Sequence, residues 1–364
     1  MSHWVGPYKS DFTGISEPCI AEFSVRTLML AVIANLLFVF STHAVANESV
    51  LSSTRKELAV RQAFEKAMVG KAARFVKILP GEYRIGVAPT SNGGDTSDFE
   101  KLHKVVISKA FEIQATHFTQ LQWYLILKEI GEYDRFGRGL PAVPSTFIHK
   151  HECDVGSIPD PKENLPQMCK HHPVESVSWD DVHHFIHRLN QIQTQYTYRL
   201  PSEAEWEIAA RSDLPPEYKY GFGDEFDSRF AWYAGNSEDR THAVATREGT
   251  PSPSNPEELL YDMAGNVGQW LEDSPLFLDT APRSVDPVNC PSLDFLEAIG
   301  ETFNTSECQT TPSGEFRVTR GGTFRDVTEY LRPTSRIHWL RGSRSSASGF
   351  RLVRGPRLKN RRWL

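Results

Sequence analysis

The side chains with the widest chemical scope in this chain are four cysteines, Cys153, Cys169, Cys290 and Cys308, which fall as two couples close in sequence. Each couple lies in a Pro-, Asp- and Ser-rich stretch with no periodic pattern. Two thiols can hold a metal or close a disulfide. Neither couple has the C-x(2–4)-C spacing that lets one turn offer two thiolates to zinc. Locality therefore favours the disulfides Cys153–Cys169 and Cys290–Cys308, each stabilising by roughly 3 kcal/mol in the chain-entropy model. Four cysteines permit three pairings, and spacing leaves the other two open. His183 and His187 stand four apart, the spacing at which one helix face could grip a metal, but a general-base glutamate between them is missing and His184 follows instead. With Val182 and Ile186 beside them on the side expected to be buried, both are read as solvated surface histidines. The stretch Arg317–Leu364 carries 13 Lys and Arg against two acids, a composition that suits an anionic partner. Arg317, Arg320, Arg351 and Arg354 fall in ordered motifs and are assigned to structure, which leaves Arg357, Lys359, Arg361 and Arg362 of the tail available.

These residues sit in a chain of 364 residues with a net charge of -6, which gives no global electrostatic reason to expect nucleic acid as a partner. The length is ample for a hydrophobic core. Near the N-terminus, Leu28–Phe40 is an uncharged apolar run preceded by Arg26 and followed by Ala44-Val45-Ala46, the layout of a secretory signal peptide. Its 13 residues fall short of the ~20 needed to span a bilayer as a helix. The polar stretch before Arg26 is long for a signal, so an uncleaved segment that tethers the protein to the membrane is the alternative. Export to the periplasm or beyond places the chain where disulfides persist, and removing residues 1–46 discards Cys19 and leaves an even number of thiols.

The elements that must position these groups are short. Val50–Val69 reads as a partly amphipathic lead-in helix, and Phe75–Ile78 and Lys104–Ile107 as strands, with a Gly/Ser/Asp-rich turn at Ser91–Ser97 between them. Thr119 with Gln122 forms a capping box ahead of Leu121, Tyr124, Leu125 and Leu127, and Gly131 stands where a helix would end. Ser178 can cap a second helix, whose apolar residues Trp179, Val182, Phe185, Ile186, Leu189 and Ile192 recur at three and four. Ser202 with Glu205 starts a third, with Trp206 and Ala209 facing inward. Beyond Ala210 the pattern is loop with few and short strands. Helices first and irregular chain after suggest an α+β domain with long ordered loops.

The segment His172–Asp181 reads HPVESVSWDD, and Arg199–Arg211 reads RLPSEAEWEIAAR. Together they resemble the central signature of the sulfatase-modifying factor, or formylglycine-generating enzyme, family. GEYRIG at Gly81–Gly86, THFTQLQW at Thr116–Trp123, LYDMAGNVGQW at Leu260–Trp270, TRGGTF at Thr319–Phe324 and GFRLVR at Gly349–Arg354 match it in the same order. The resemblance implies a C-type-lectin-like α+β fold with little regular secondary structure over residues 75–354. Residues 1–46 are then a signal or N-terminal hydrophobic segment, 47–74 a helical lead-in and 355–364 a basic tail. Arg199, Glu203, Glu205 and Arg211 are read as charges that tie irregular loops together by buried hydrogen bonds.

The resemblance also says what chemistry to look for. Oxidising members carry two cysteines after the RGG motif that hold copper and activate oxygen, and the matching positions here are Asp326 and Leu331. A carboxylate and an isobutyl group cannot supply the soft field that Cu(I) needs, so no copper is expected and the founding conversion of cysteine to formylglycine is read as absent. A family calcium site maps onto Asp262, the carbonyls of Gly265 and Val267, and Gln269; exchanging Asn for Asp and Glu for Gln keeps its charge, so calcium is expected. The peptide groove implied by the resemblance maps onto Thr323, Phe324, Arg325, Asp326, Tyr330, Arg336 and Trp339. That set suits a peptide or polar small-molecule ligand, and an envelope protein as partner. Loss of the thiols with the scaffold retained favours a binding or maturation factor. The alternative is altered oxidative chemistry, as in relatives that mature a siderophore or use iron, with Asp326 and His338 as seeds of another metal site.

Overall fold

The first long helix, α1 (Gln120–Ile130), starts where Thr119 accepts the Gln122 N–H at 3.2 Å and Gln122 Oε1 accepts the Thr119 N–H at 2.9 Å. It ends at Gly131, whose φ of 79° suits a residue without Cβ and whose N–H returns to the Leu127 carbonyl. In α2 (Trp179–Ile192) the cap is Ser178, whose hydroxyl accepts the Asp181 N–H at 3.1 Å while the Asp181 carboxylate accepts the Ser178 N–H at 2.8 Å. Helix α3 (Glu203–Arg211) repeats the capping box through Ser202 and Glu205. All three starts were readable because capping is local chemistry.

The computed structural model describes residues 70–87, 101–131, 140–192, 195–275 and 315–356, with isolated positions at 52–62, 285–287 and 295. Of the lead-in, Ser52, Thr54, Arg55, Leu58, Ala59 and Gln62 are helical. The Leu28–Phe40 run, the Ser91–Ser97 turn, Cys290, Cys308 and the basic tail lie outside the described residues. Among the described residues, no helix is long and apolar enough to cross a membrane.

The strands are β1 (Phe75–Ile78), β2 (Gly81–Ile85), β3 (His103–Ile107), β4 (Phe111–Gln114), β5 (Tyr196–Arg199), β6 (Thr250–Ser252), β7 (Asn255–Leu260), β8 (Gly268–Trp270), β9 (Phe316–Arg320), β10 (Arg336–Leu340), β11 (Ser348–Gly349) and β12 (Val353–Pro356). One four-stranded sheet runs β1-β4-β12-β5 and a second β10-β9-β8-β11, with β2-β3 and β6-β7 as two-stranded ribbons. The architecture is α+β with modest regular structure, but the second half holds more strand than its pattern suggests. Its strands are short, rich in Arg and Gly, and paired at long range, so alternation does not reveal them. Strand β9 pairs with β10 from Arg320↔Arg336 to Phe316↔Leu340, and β8 joins the other side of β9.

Two apolar clusters hold these layers. In one, α1 and α2 meet around Trp123, Phe185, Phe118 and Phe350, with Trp123 stacked on Phe185 at 4.8 Å and Phe118 on Phe350 at 4.9 Å. In the other, Ile78, Ile113 and Val353 of the first sheet pack with Trp206 and Ala209 of α3. A disulfide joins Cys153 to Cys169 with a Cα–Cα distance of 5.1 Å. It pins the long loop between α1 and α2, as locality suggested.

Candidate functional site

The cleft is built on one face of the second sheet. Gly268 of β8, Thr319 of β9, Ile337 and Trp339 of β10 and Ser348 of β11 line it, in the cross-strand order set by the registers Ile337↔Thr319 and Ser348↔Gly268. The chain leaves β9 through Gly321 and Gly322, both at positive φ. A Cβ on Gly322 would lie 2.6 Å from Leu331 Cδ2 and 2.8 Å from the Tyr330 carbonyl, so only glycine lets the turn tuck beneath the Thr328–Leu331 helical turn. That tight turn sends Thr323 to the cleft and Phe324 inward.

The cleft encloses about 260 Å³. Five of the seven predicted groove residues line it: Thr323, Arg325, Asp326, Tyr330 and Trp339. Two do not. Phe324 is fully buried and meets Phe147 edge-on at 5.4 Å. Arg336, expected on the floor, turns to the Glu203 carboxylate at 2.9 Å, because a buried carboxylate attracts every guanidinium within reach. The opposite wall, Ser345, Ala347 and Ser348, was missed by the sequence reading. A run of small hydroxyl residues directly before a family motif was the signal available.

A charge cluster supports the floor. Glu203 Oε1 accepts Arg320 Nε at 2.9 Å and Nη2 at 2.6 Å, and Arg320 Nη1 lies 3.1 Å from Glu207. Burial alone would raise the Glu203 pKa, but Arg320 and Arg336 outweigh it and hold the carboxyl below its ordinary range. Arg199 and Glu205 pair through two bonds of 2.6 Å, and Arg211 bonds Glu207 at 2.8 Å. The charges of the RLPSEAEWEIAAR motif are therefore scaffold.

The two positions matched to copper-binding thiols are not equivalent. Asp326 faces the cleft, whereas Leu331 is buried with Tyr220, Ala231 and Ala264. The cysteines among the described residues are Cys153 and Cys169, bonded to each other. No thiolate is offered at the cleft by the described residues, and this donor set does not fit copper.

The expected calcium ligands are placed together but are already engaged. Gln269 Oε1 accepts Trp206 Nε1 at 2.7 Å and Arg351 Nε at 2.5 Å, and its amide donates to the Asp262 carbonyl at 3.2 Å. The Val267 carbonyl takes the His117 ring at 2.9 Å, and Asp262 Oδ2 accepts the Ala245 N–H at 2.8 Å. Gly265 sits at a φ of 77° with its N–H bonded to the Gly321 carbonyl. The buried guanidinium of Arg351 also donates to the carbonyls of Gln114, Tyr261 and Asp262, so the centre of the set already holds a cation. Burial lowers the Arg351 pKa to about 9, against the pull of Asp262. With both lone pairs of the Gln269 oxygen used and a positive charge in place, the arrangement does not fit a calcium ion.

The histidine pair also departs from expectation. His183 is buried, stacked on Trp179 at 3.6 Å and 3.0 Å from Glu272, while His187 meets Gln191 at 3.0 Å. The indole attracts the ring into the helix seam. His338 lies on β10, edge-on to Phe316 at 5.6 Å, and is not among the cleft-lining residues. Among the described residues no group of three or more His, Cys, Asp or Glu is placed to hold a metal.

Residues 60–356 match the family described as the sulfatase-modifying factor enzyme 1-like domain. The chain is 33% identical over 241 residues to the formylglycine-generating enzyme of Streptomyces coelicolor, covering 58% of this chain and 73% of that enzyme. It is 30% identical over 184 residues to the serine/threonine-protein kinase pkn1 of Chlamydia caviae, covering 50% of this chain and 24% of the kinase, so it spans about a quarter of that protein's length. The structure of Treponema denticola variable protein 1 shares the fold, with a TM-score of 0.54 at 22% identity over 77% of this chain and 94% of that one. A family match over most of the chain, with its motifs carrying both the sheet beneath the cleft and the charge cluster under it, means that this chain belongs to the sulfatase-modifying factor family.

Proposed function

We propose that this family member is an exported, non-oxidising binding or maturation factor of the cell envelope, which holds an extended peptide or polar ligand in the cleft. One observation carries the reading. Of the two positions where oxidising relatives place copper thiolates, one is the cleft carboxylate Asp326 and the other, Leu331, is sealed in an apolar cluster. The rest of the cleft favours recognition over redox chemistry, since hydroxyls, a guanidinium and two half-exposed rings line it. Export agrees with the apolar run at Leu28–Phe40 and with the disulfide.

The test has two arms, both on the full chain recovered from the exported fraction. Incubation with a cysteine-bearing sulfatase peptide, Cu(I) and a thiol reductant is expected to leave the peptide mass unchanged. Fluorescence anisotropy against a library of extended peptides is expected to give binders that Trp339→Ala weakens about tenfold, as loss of an aromatic anchor does. An aldehyde product in the first arm would overturn the reading, as would an absence of binders in the second.

A further inference from the structure

Between Leu140 and Ser178 the regular structure of the chain is the three-residue 3-10 turn Pro161–Glu163. With no strand ladder to fix this loop, the Cys153–Cys169 bridge holds together two stretches 16 residues apart. Both stretches grip the same segment, Arg240–Val244. On the Cys153 side, the Glu152 carbonyl accepts Arg240 Nη1 at 3.0 Å, and the Asp154 carboxylate accepts Arg240 Nη1 at 2.8 Å, His242 Nδ1 at 3.1 Å and the Ala243 N–H at 2.7 Å. On the Cys169 side, the His171 carbonyl accepts the Val244 N–H at 2.9 Å and the His172 ring bonds Thr241 Oγ1 at 3.1 Å. Burial alone would raise the Asp154 pKa, but the bonds from His242, Ala243 and Arg240 outweigh it and hold the carboxyl well below its ordinary range. The grip is therefore made by an ionised group, whose hydrogen bonds are the strong kind.

The gripped segment in turn carries one wall of the cleft. His242 Nε2 bonds the Ser237 carbonyl at 2.8 Å, and Ser237 Oγ donates to the Phe324 carbonyl at 2.7 Å. The Ala234 N–H bonds the Asp326 carbonyl at 3.0 Å, and Asp239 accepts Arg325 Nε at 2.7 Å. Asn266 joins the two stretches directly. Its side chain pairs with the N–H and carbonyl of His242, and its carbonyl accepts the Phe324 N–H at 2.8 Å. The main chain from Phe324 to Asp326, which brings Arg325 and Asp326 to the cleft, is thus suspended from a segment that the bridged loop holds from both sides.

We infer that the Cys153–Cys169 bridge is a redox switch for the cleft: closed, it clamps Arg240–Val244 and fixes the Phe324–Asp326 wall, and opened, it releases both. This deepens the reading of the cleft as a binding groove in an exported protein, and rests on it. Cys153 is partly exposed and Cys169 has no exposed surface, which makes Cys153 Sγ the point of attack. A thiolate of an external dithiol attacks Cys153 Sγ, and the S–S bond breaks to release Cys169 as a thiolate that takes up a proton. The second thiol of the dithiol then displaces Cys153, so the bridge gains two electrons and two protons while the dithiol becomes a disulfide. A disulfide donor reverses the exchange. The cleft is then ordered in an oxidising compartment and slack in a reducing one.

The test is hydrogen exchange on the full chain, read by mass spectrometry and needing no ligand. Dithiothreitol added to the folded wild type is expected to speed exchange about tenfold or more in residues 233–245 and 323–327, with α1 and α3 unchanged. The double variant Cys153→Ser with Cys169→Ser should show the same rates without reductant and no further change with it, which sets Cys290 and Cys308 aside. Asp154→Asn, with the bridge intact, should loosen the same two stretches. Exchange at 323–327 that stays slow after reduction, or after Asp154→Asn, would overturn the switch. So would a rise across the whole domain, since the bridge would then be a condition of folding. A labelled peptide chosen by anisotropy as a wild-type binder is expected to bind the reduced protein about tenfold more weakly. Binding that survives reduction unchanged would also overturn the switch while leaving the groove reading intact. The expected exchange pattern with no peptide bound in either state would uphold the switch and sink the groove.

Discussion

Gln269 and Asp326 stand at two positions where oxidising relatives are expected to hold metal, and the fold treats them in opposite ways. Gln269 has no exposed surface, and its oxygen is filled by Trp206 and by Arg351, whose guanidinium also binds three main-chain carbonyls. Asp326 borders a cleft, and one of its oxygens has no donor among the described residues. The difference follows from solvent access. In an enclosed site no water can complete a broken ligand set, so the chain must supply its own cation and satisfy every lone pair. Asp326 is only partly buried beside the cleft, so the fold is not forced to supply a donor for that oxygen.

The sharpest way to break this contrast is to remove one charge from each place and measure stability. Arg351→Met strands the carbonyls of Gln114, Tyr261 and Asp262 and leaves Asp262 without its nearby positive charge, so urea denaturation should show a loss on the order of 3–5 kcal/mol. If that variant does not fold, Arg351→Lys reads the same effect at reduced size, since a compact ammonium cannot reproduce the planar fork. Asp326→Asn should change stability by no more than about 0.5 kcal/mol, because its partly buried side chain ties no other element of the fold together among the described residues. Equal losses in the two places would mean that the cleft carboxylate is structural after all.

A smaller effect tests the cleft's own support. Glu175 lies directly behind the cleft wall, since the N–H of the next residue, Ser176, bonds the carbonyl of cleft-lining Ser345 at 3.0 Å. Burial raises its carboxyl to about 7, even though it accepts from Thr146 at 2.6 Å, Phe147 at 3.1 Å and the Ser176 hydroxyl at 2.7 Å. The sign is set by the folded form holding its proton more tightly than the unfolded chain, whose glutamate titrates near ~4.3. This group's contribution is full below that value and is lost as pH rises toward 7. Its size is on the order of 3–4 kcal/mol at most, and Glu175→Gln should flatten stability across this window. Glu203 has the opposite slope, since its depressed carboxyl contributes above the unfolded value and loses that contribution as pH falls. Comparing wild type with Glu175→Gln at each pH isolates the one from the other. A variant as steep as the wild type between pH 4.5 and 7 would show that the three donors outweigh burial.

How much of this was legible depended on the range of the interaction. The three helix starts were readable because Thr119, Ser178 and Ser202 each find their partner three residues on. The Cys153–Cys169 bridge followed from nearness in sequence, and five cleft residues followed from one motif and the segment after it. Two of the three failures were long-range competition. Arg336 was drawn off by Glu203, 133 residues away, and Gln269 by Arg351, 82 residues away. His183 was drawn in by Trp179, four residues away, because stacking on an indole does not show in hydropathy. Residue type announces that an arginine will be paired, but only the fold decides with which carboxylate or carbonyl.

The smallest expected effect is also the one that bears most directly on Arg351. A ligand held only by the folded state at a hundred times its dissociation constant adds about 2.7 kcal/mol. In a domain of this size that amounts to roughly 5–10 °C in Tm. If Arg351 has taken the cation's place at Gln269, then chelation with EDTA, or addition of millimolar Ca²⁺ to the chelated protein, should leave the Tm unmoved within the error of a scanning measurement. A rise of several degrees on adding Ca²⁺ would require the ion to displace the guanidinium or to find oxygens outside the Asp262–Gln269 set. Repeating the titration on Asp262→Asn separates these outcomes. Loss of the response would return the calcium to this set, and its persistence would put the ion elsewhere and leave Arg351 as the cation at Gln269.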